Sequence, residues 1–259
     1  MEPLEFWETP LQFNAEAYRD ILILGLGGGC DIISAYVAQF LFPFASTARI
    51  RYGNTKKKLD SDFELLSPNI GRLPLGPRAR GIPITTKIDQ MVPRGPDSCP
   101  YIVKCRSKTV PLLPHEISQL QPDLIIGVDA GGDALIEGAI SGPAGQDKIM
   151  VEVLKKADPP FLLLILGPGC DGESYHEQIL AAFNAEQERG KFLGALSMGP
   201  LIPHFEPLTA SLSSSRTPNI ILSALKGELS QDVGGNYFIP RGICAYLPPG
   251  WLTHAFAFG

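Results

Sequence analysis

A mostly parallel β-sheet covered by helices on both faces is the fold class this sequence predicts, and three observations carry the prediction. Ile21–Leu26, Leu124–Val128 and Phe161–Leu166 are apolar runs of strand length, and a strand buried on both faces reads as a continuous apolar run rather than an alternating one. Each run then breaks into glycines and reaches a carboxylate, at Asp31, Asp133 and Asp171. Helical patterns fall between the runs, as the crossovers of a parallel sheet require. The expected architecture is a Rossmann-like three-layer α/β sandwich, one domain over residues 1–259 with a Pro/Gly-rich excursion at about 53–100.

Taken in order, residues 1–19 read as a surface helix or arm whose Phe6, Trp7, Leu11 and Phe13 can tuck against the body. Residues 20–26 form the first strand. Ile32, Ile33, Tyr36, Val37, Phe40 and Leu41 then recur at helical spacing over Ile32–Phe42. Thr47–Tyr52 is the second strand. From Gly53 to about Pro100 the periodicity dissolves into prolines and glycines, the mark of a functional loop or lid, with one short edge strand at Ile82–Ile88, where Pro83 excludes a central place. Tyr101–Cys105 reads as a strand and Pro114–Gln121 as a short helix. After the strand at Asp123–Val128, Gln146–Ala157 is helical. Phe161–Leu166 is a strand and Ser174–Gln187 a helix ending before Gly190. Leu193–Met198 is a further strand, Asn219–Leu229 a helix, and Ile243–Phe258 one or two strands interrupted by Pro248-Pro249-Gly250.

Composition narrows the function classes. With 259 residues, 44% of them hydrophobic, the chain can bury a full core. A net charge of −5 gives no general attraction to phosphate backbones, which argues against nucleic acid as the main partner. Five scattered cysteines without a Cys-x-x-Cys pair argue against a disulfide framework and a structural zinc, and fit a reducing compartment. The segment 1–20 is rich in glutamate and lacks a signal-peptide layout, and no run has the roughly 18 apolar residues of a membrane span. A cytoplasmic protein without a membrane partner is the expectation.

The informative feature is internal. Ile21–Asp31 and Leu162–Asp171 are near copies of one strand-turn-helix device, and Asp123–Asp133 is a third version. All strand C-termini of a parallel sheet lie on one edge, where doubly wound folds bind ligands. Asp31, Asp129, Asp133, Asp171 and Glu173 are therefore expected on one rim. Turn amides at a helix start hold anions, which nominates Gly27, Gly28, Gly29, Cys30, Asp31, Gly131, Gly132, Gly169 and Glu173 as ligand-binding residues. Asp129, Asp133 and Asp171 are the candidate catalytic groups. Asp129 and Asp133, with glycines between them, can converge on Mg²⁺ or share a proton. The plainer alternative is that these aspartates cap helices and the glycines let strand and helix pack closely.

Other chemistries fit less well. Gly25-Leu-Gly-Gly-Gly-Cys puts Cys30 where a dinucleotide fingerprint has its last glycine, and Arg49, Arg51 and Asn54 stand where the ribose-binding acid belongs. Cys30 and Cys170 at helix starts are settings that can activate a thiol, although small buried cysteine is the commoner case. His115, His176, His204 and His254 do not cluster; Glu173 and His176 could form an i,i+3 pair on one helical face. Leu212-Ser-Ser-Ser-Arg216 lacks the glycines of a nucleophile elbow.

At these turns the chain resembles the bacterial and archaeal family catalogued as domain of unknown function 1152. The matching pieces are Gly27–Asp31, Val128–Leu135, Ser141–Asp147 and Gly167–Glu173, across roughly residues 20–175. The resemblance implies a Rossmann-like domain and supplies no reaction. Its pattern has a small residue, usually glycine, at the position of Cys30, which weakens the case for a thiol nucleophile there.

The expected function is that of an enzyme, a hydrolase or transferase using carboxylates with or without a divalent metal. Its substrate would be a small phosphorylated or nucleotide-like metabolite, and Mg²⁺ or a nucleotide its cofactor. The alternative is a non-catalytic nucleotide-binding or sensing module, a homo-oligomer if the Pro/Gly-rich segment is an interaction surface.

Overall fold

The computed structural model describes residues 6–59, 63–73, 88, 91–93, 100–136, 145–240 and 246–259. The chain forms two compact units, one of residues 15–128 and 149–161, the other of residues 1–14, 129–148 and 162–259. Each is an α/β unit built on strands of the expected apolar runs.

In the unit of residues 15–128 and 149–161, β1 (Asp20–Gly25) lies between β2 (Arg49–Lys56) and β6 (Leu124–Ala130), parallel to both, with Ile23 opposite Tyr52 and Ile126. Ile21, Leu22, Ile23 and Leu24 are all fully buried. Successive strand residues face opposite ways, so both faces of β1 are covered, which is why its sequence does not alternate. The helix α1 (Asp31–Ala38) packs on β1 and β2. Outside β2 come β5 (Tyr101–Lys104), parallel to it, then the antiparallel β4 (Ile70–Arg72) and β3 (Glu64–Leu65).

Two sequence expectations change here. The second strand runs on to Lys56, because buried Asn54 and Thr55 find partners inside the sheet: the Thr55 hydroxyl donates to the Leu26 carbonyl, and Asn54 Oδ1 accepts from Thr55 N at 3.0 Å. The excursion at about 53–100 therefore begins as strand and continues into the β3–β4 hairpin; residues 60–62, 74–87, 89–90 and 94–99 lie outside the described residues, and with them the edge strand expected at 82–88, Ile88 apart. Arg51 is buried, its Nε donating to Asp20 Oδ1 at 2.7 Å.

The helix α2 (Leu113–Ser118) anchors the hairpin through buried Glu116, whose carboxylate accepts from the Ser67 hydroxyl, from Asn69 N at 3.1 Å and from Asn69 Nδ2 at 2.7 Å. Glu116→Ala strands these donors together, and since an unsatisfied buried polar group costs roughly 1–3 kcal/mol, we expect a loss of about 2–4 kcal/mol in urea unfolding. An unchanged midpoint would show that the hairpin is held elsewhere.

The helix α3 (Gln146–Leu154) carries the chain between the units. In the unit of residues 1–14, 129–148 and 162–259 the strands run in the order β7 (Phe161–Leu166), β11 (His254–Phe258), β8 (Phe192–Ser197). The final strand is inserted antiparallel to both neighbours, with Ala255 opposite Leu166 and Leu196. The final strand thus brings antiparallel pairing into a fold expected to be mostly parallel. Around it stand α4 (His176–Glu188), α5 (Ile202–Thr209), α6 (Thr217–Leu225), the short β9 (Tyr237–Phe238) and β10 (Tyr246–Leu247), and α7 (Pro249–Thr253). Phe183 stacks between Trp251 and Phe258, each at 4.9 Å, at the centre of an aromatic core. Among the described residues no helix is long and apolar enough to cross a membrane.

Candidate functional site

The second glycine turn grows out of β6. After Asp129 and Ala130 the chain passes through Gly131 at φ 139° and Gly132 at φ 95° into a 3-10 turn, Asp133–Leu135. These are conformations that side-chain-bearing residues rarely adopt. Buried Asp129 holds the turn in place, its Oδ2 accepting from Ala134 N at 2.9 Å.

The third turn follows β7 and is tied to the second. Gly131 N donates to Leu166 O at 3.1 Å, and Gly169 N donates to Gly131 O at 2.6 Å. Both amides are thus spent within the protein, and the two glycines serve close approach of backbones. Between these turns sits Asp171, buried, with Oδ1 accepting from Glu173 N at 3.1 Å. A Cβ on Gly131 would fall 2.2 Å from Asp171 Oδ2. The absent side chain is what makes room for the carboxylate.

A third acidic residue enters from the first turn of α3. Asp129, Asp133 and Asp147 each offer a carboxylate oxygen, and these oxygens lie within 4.8 Å of one another. The charges register in the chemistry of the group. Burial, followed by the charges of Asp133 and Asp147, drives the Asp129 pKa well above the usual carboxylate range, against the opposing Ala134 N–H. Asp133 is pushed up to about 6, first by burial and then by the nearby charge of Glu173.

Of the residues nominated from the sequence, this unit places Asp129, Asp133, Asp171 and Glu173 near one another, beside Gly131, Gly132 and Gly169. Asp147 is the addition. Its position after a glycine-rich approach, Ser141–Gly145, at the start of a helix was the available signal, but nothing local ties it to Asp129 and Asp133.

Gly27, Gly28, Gly29, Cys30 and Asp31 belong to the other unit and form their own turn. Gly28 and Gly29 have φ of 86° and 56°, and Gly27 N donates to Asp31 Oδ2 at 2.8 Å. Asp31 thus turns back onto the glycine loop instead of capping α1, and the chain's own carboxylate takes the Gly27 amide. Asp171 likewise caps no helix, because α4 begins only at His176. For the same reason Cys170 does not sit at a helix start; it is fully buried, with Sγ 3.9 Å from Leu166 O. Cys30 does precede α1, buried. Glu173 lies ahead of α4, so it shares no helical face with His176. The His176 ring meets Trp251 edge-on at 5.5 Å, and burial lowers its pKa.

A family model described as "Protein of unknown function (DUF1152)" matches residues 102–232. The matched stretch contains Asp129, Asp133, Asp147, Asp171 and Glu173. It begins beyond Gly27–Asp31, one of the pieces that carry the resemblance, and extends past Glu173 as far as residue 232. No curated protein and no solved structure matches the chain.

Proposed function

The chain belongs to the DUF1152 family, and from that premise we propose that it is a Rossmann-like three-layer α/β enzyme whose aspartates hold a divalent cation, Mg²⁺ in the first place, and act on a small phosphorylated or nucleotide-like metabolite. The observation that carries the reading is the convergence of Asp129, Asp133 and Asp147 oxygens within 4.8 Å. Carboxylates are the donors that hard cations take. Helix caps and solvated acids need no such convergence, and buried like charges held together cost free energy unless a cation or a proton offsets them.

When bound, the cation supplies charge stabilisation at a phosphoryl oxygen and a more acidic water. The chain's own residues do the rest. Asp129, fixed by the Ala134 amide, and Asp133 and Asp147 hold the ion. Asp171, seated against Gly131, fixes the turn pair and adds negative charge behind Asp129. Because the Gly131 and Gly169 amides are donated internally, the substrate's anionic group is expected on the cation side rather than in a cradle of those amides. The reaction class this supports is hydrolysis or group transfer.

A thermal-shift screen of Mg²⁺ and Mn²⁺, alone and then with nucleotides and sugar phosphates, followed by mass spectrometry of the mixtures, tests the reading. Stabilisation by cation and metabolite together, with product formed, is the expected result. Stabilisation with the metabolite recovered intact favours the alternative of a binding or sensing module. No response to any cation overturns the proposal, and no response to any nucleotide or sugar phosphate either overturns the alternative as well.

A further inference from the structure

We infer that residues 6–12 are a strap that guards the outer edge of β8, and that releasing it turns that edge into a pairing surface for a second copy of this chain. β8 is paired with β11 on one side. On its other side Ala195 N donates to Thr9 O and Gln12 N donates to Leu193 O, each at 2.7 Å, and Pro10 bridges to Ala195 in parallel. The strap is locked at its start: Phe6 is buried among the rings of Phe183, Phe192 and Trp251, at 5.6, 5.3 and 6.1 Å.

Two glycines of the body are shaped to this segment. A Cβ on Gly194, at φ 120°, would lie 2.3 Å from Pro10 O, and a Cβ on Gly250 would lie 2.2 Å from the Trp7 indole. The Gly250 seat is the more telling of the two. It lies in α7, where alanine is the better helix former, and no positive φ calls for glycine there, so close approach of Trp7 is the reason on view for its lack of a side chain.

An uncovered strand edge presents unpaired N–H and C=O groups that template pairing with another chain. With the strap gone, Leu193 O and Ala195 N are those groups, on a segment, Phe192–Leu196, that is apolar throughout. A second β8 is self-complementary to it, since two antiparallel copies about a twofold axis satisfy the same donor and acceptor reciprocally. The partner that fits is therefore this same edge.

Gly250→Ala in the full chain tests the inference by driving Trp7 off its seat. Compared with wild type, amide-exchange protection at Ala195 should fall by about tenfold or more, and light scattering across a concentration series should show a mass rising toward roughly twice the wild-type value. Protection that persists would show that the Trp7 seat does not hold the strap. Lost protection with an unchanged mass would show that the bared edge does not pair with itself. Either result overturns the inference. Should Gly250→Ala fail to fold, Trp7→Ala removes the ring and leaves the seat intact, and the same two measurements decide in the same way.

Discussion

Asp133→Asn is expected to stabilise the cation-free protein and to weaken its response to cations. The sign follows from linkage. A carboxyl whose pKa rises on folding, here from 3.8 to about 6, favours the folded state only in its protonated form. That contribution is whole below the unfolded pKa and is lost as pH rises through about 6, so at pH 7.5 the ionised Asp133 weighs against the fold. Asparagine keeps the shape and drops the charge. Full conversion of such a shift would give about 3 kcal/mol; allowing for the residue's partial exposure and for charges shared within the cluster, we expect on the order of 1–2 kcal/mol, or a melting temperature higher by roughly 2–8 °C. The same linkage predicts that wild type gains more stability than the variant between pH 7.5 and 5. With one of three converging oxygens replaced by a neutral, weaker ligand, cation affinity should fall by about tenfold or more, and turnover with it. A variant less stable than wild type at pH 7.5 without cation would mean that Asp133 is a structural group.

Gly131→Ala should have the largest cost to stability in the site. The methyl group would fall 2.2 Å from Asp171 Oδ2 and 2.4 Å from its Cγ, at a φ of 139° that alanine rarely adopts. Overpacking and backbone strain each cost roughly 1–3 kcal/mol, so a loss of about 3 kcal/mol is expected, a fall of roughly 6–12 °C in melting temperature. The two contributions separate in a double mutant. Asp171→Ala relieves the collision and leaves the strain, so in the Gly131→Ala background it should cost less than in wild type, with an interaction energy of about 1–2 kcal/mol. Strict additivity would show that the turn shifts to accommodate the methyl group and that Asp171 is not seated by the glycine.

The sheet centre was legible because its strands are buried on both faces. Ile21–Leu24, Leu124–Ile126 and Leu162–Leu166 have no solvent side, and their composition says so directly. The glycine turns and Asp129, Asp133 and Asp171 were legible for a related reason, since the chain must stop and turn where those runs end. The features that local sequence does not reveal depend on distant partners. Asn54 and Thr55 look like loop residues until Leu26 is placed beside them. The helix α5 is hidden in the sequence by Pro203, which a first turn tolerates, and by Pro207, which lies inside the helix and supplies no backbone N–H. The insertion of β11 between β7 and β8 is a matter of long-range pairing that its sequence, His254–Phe258, does not encode locally. Asp147 is the same lesson at the site. Its own neighbourhood reads as an ordinary acidic helix start, and only the fold brings it to Asp129 and Asp133.

That convergence is the central claim, and titration calorimetry of Mn²⁺ and Mg²⁺ into the wild-type chain tests it most directly, run beside Asp129→Asn, Asp133→Asn and Asp147→Asn. A cation held by all three carboxylates predicts one binding site per chain in wild type and a loss of about tenfold or more in each variant, Asp147→Asn included. Binding that is absent from wild type, or that survives unchanged in all three variants, would contradict a cation site at these aspartates.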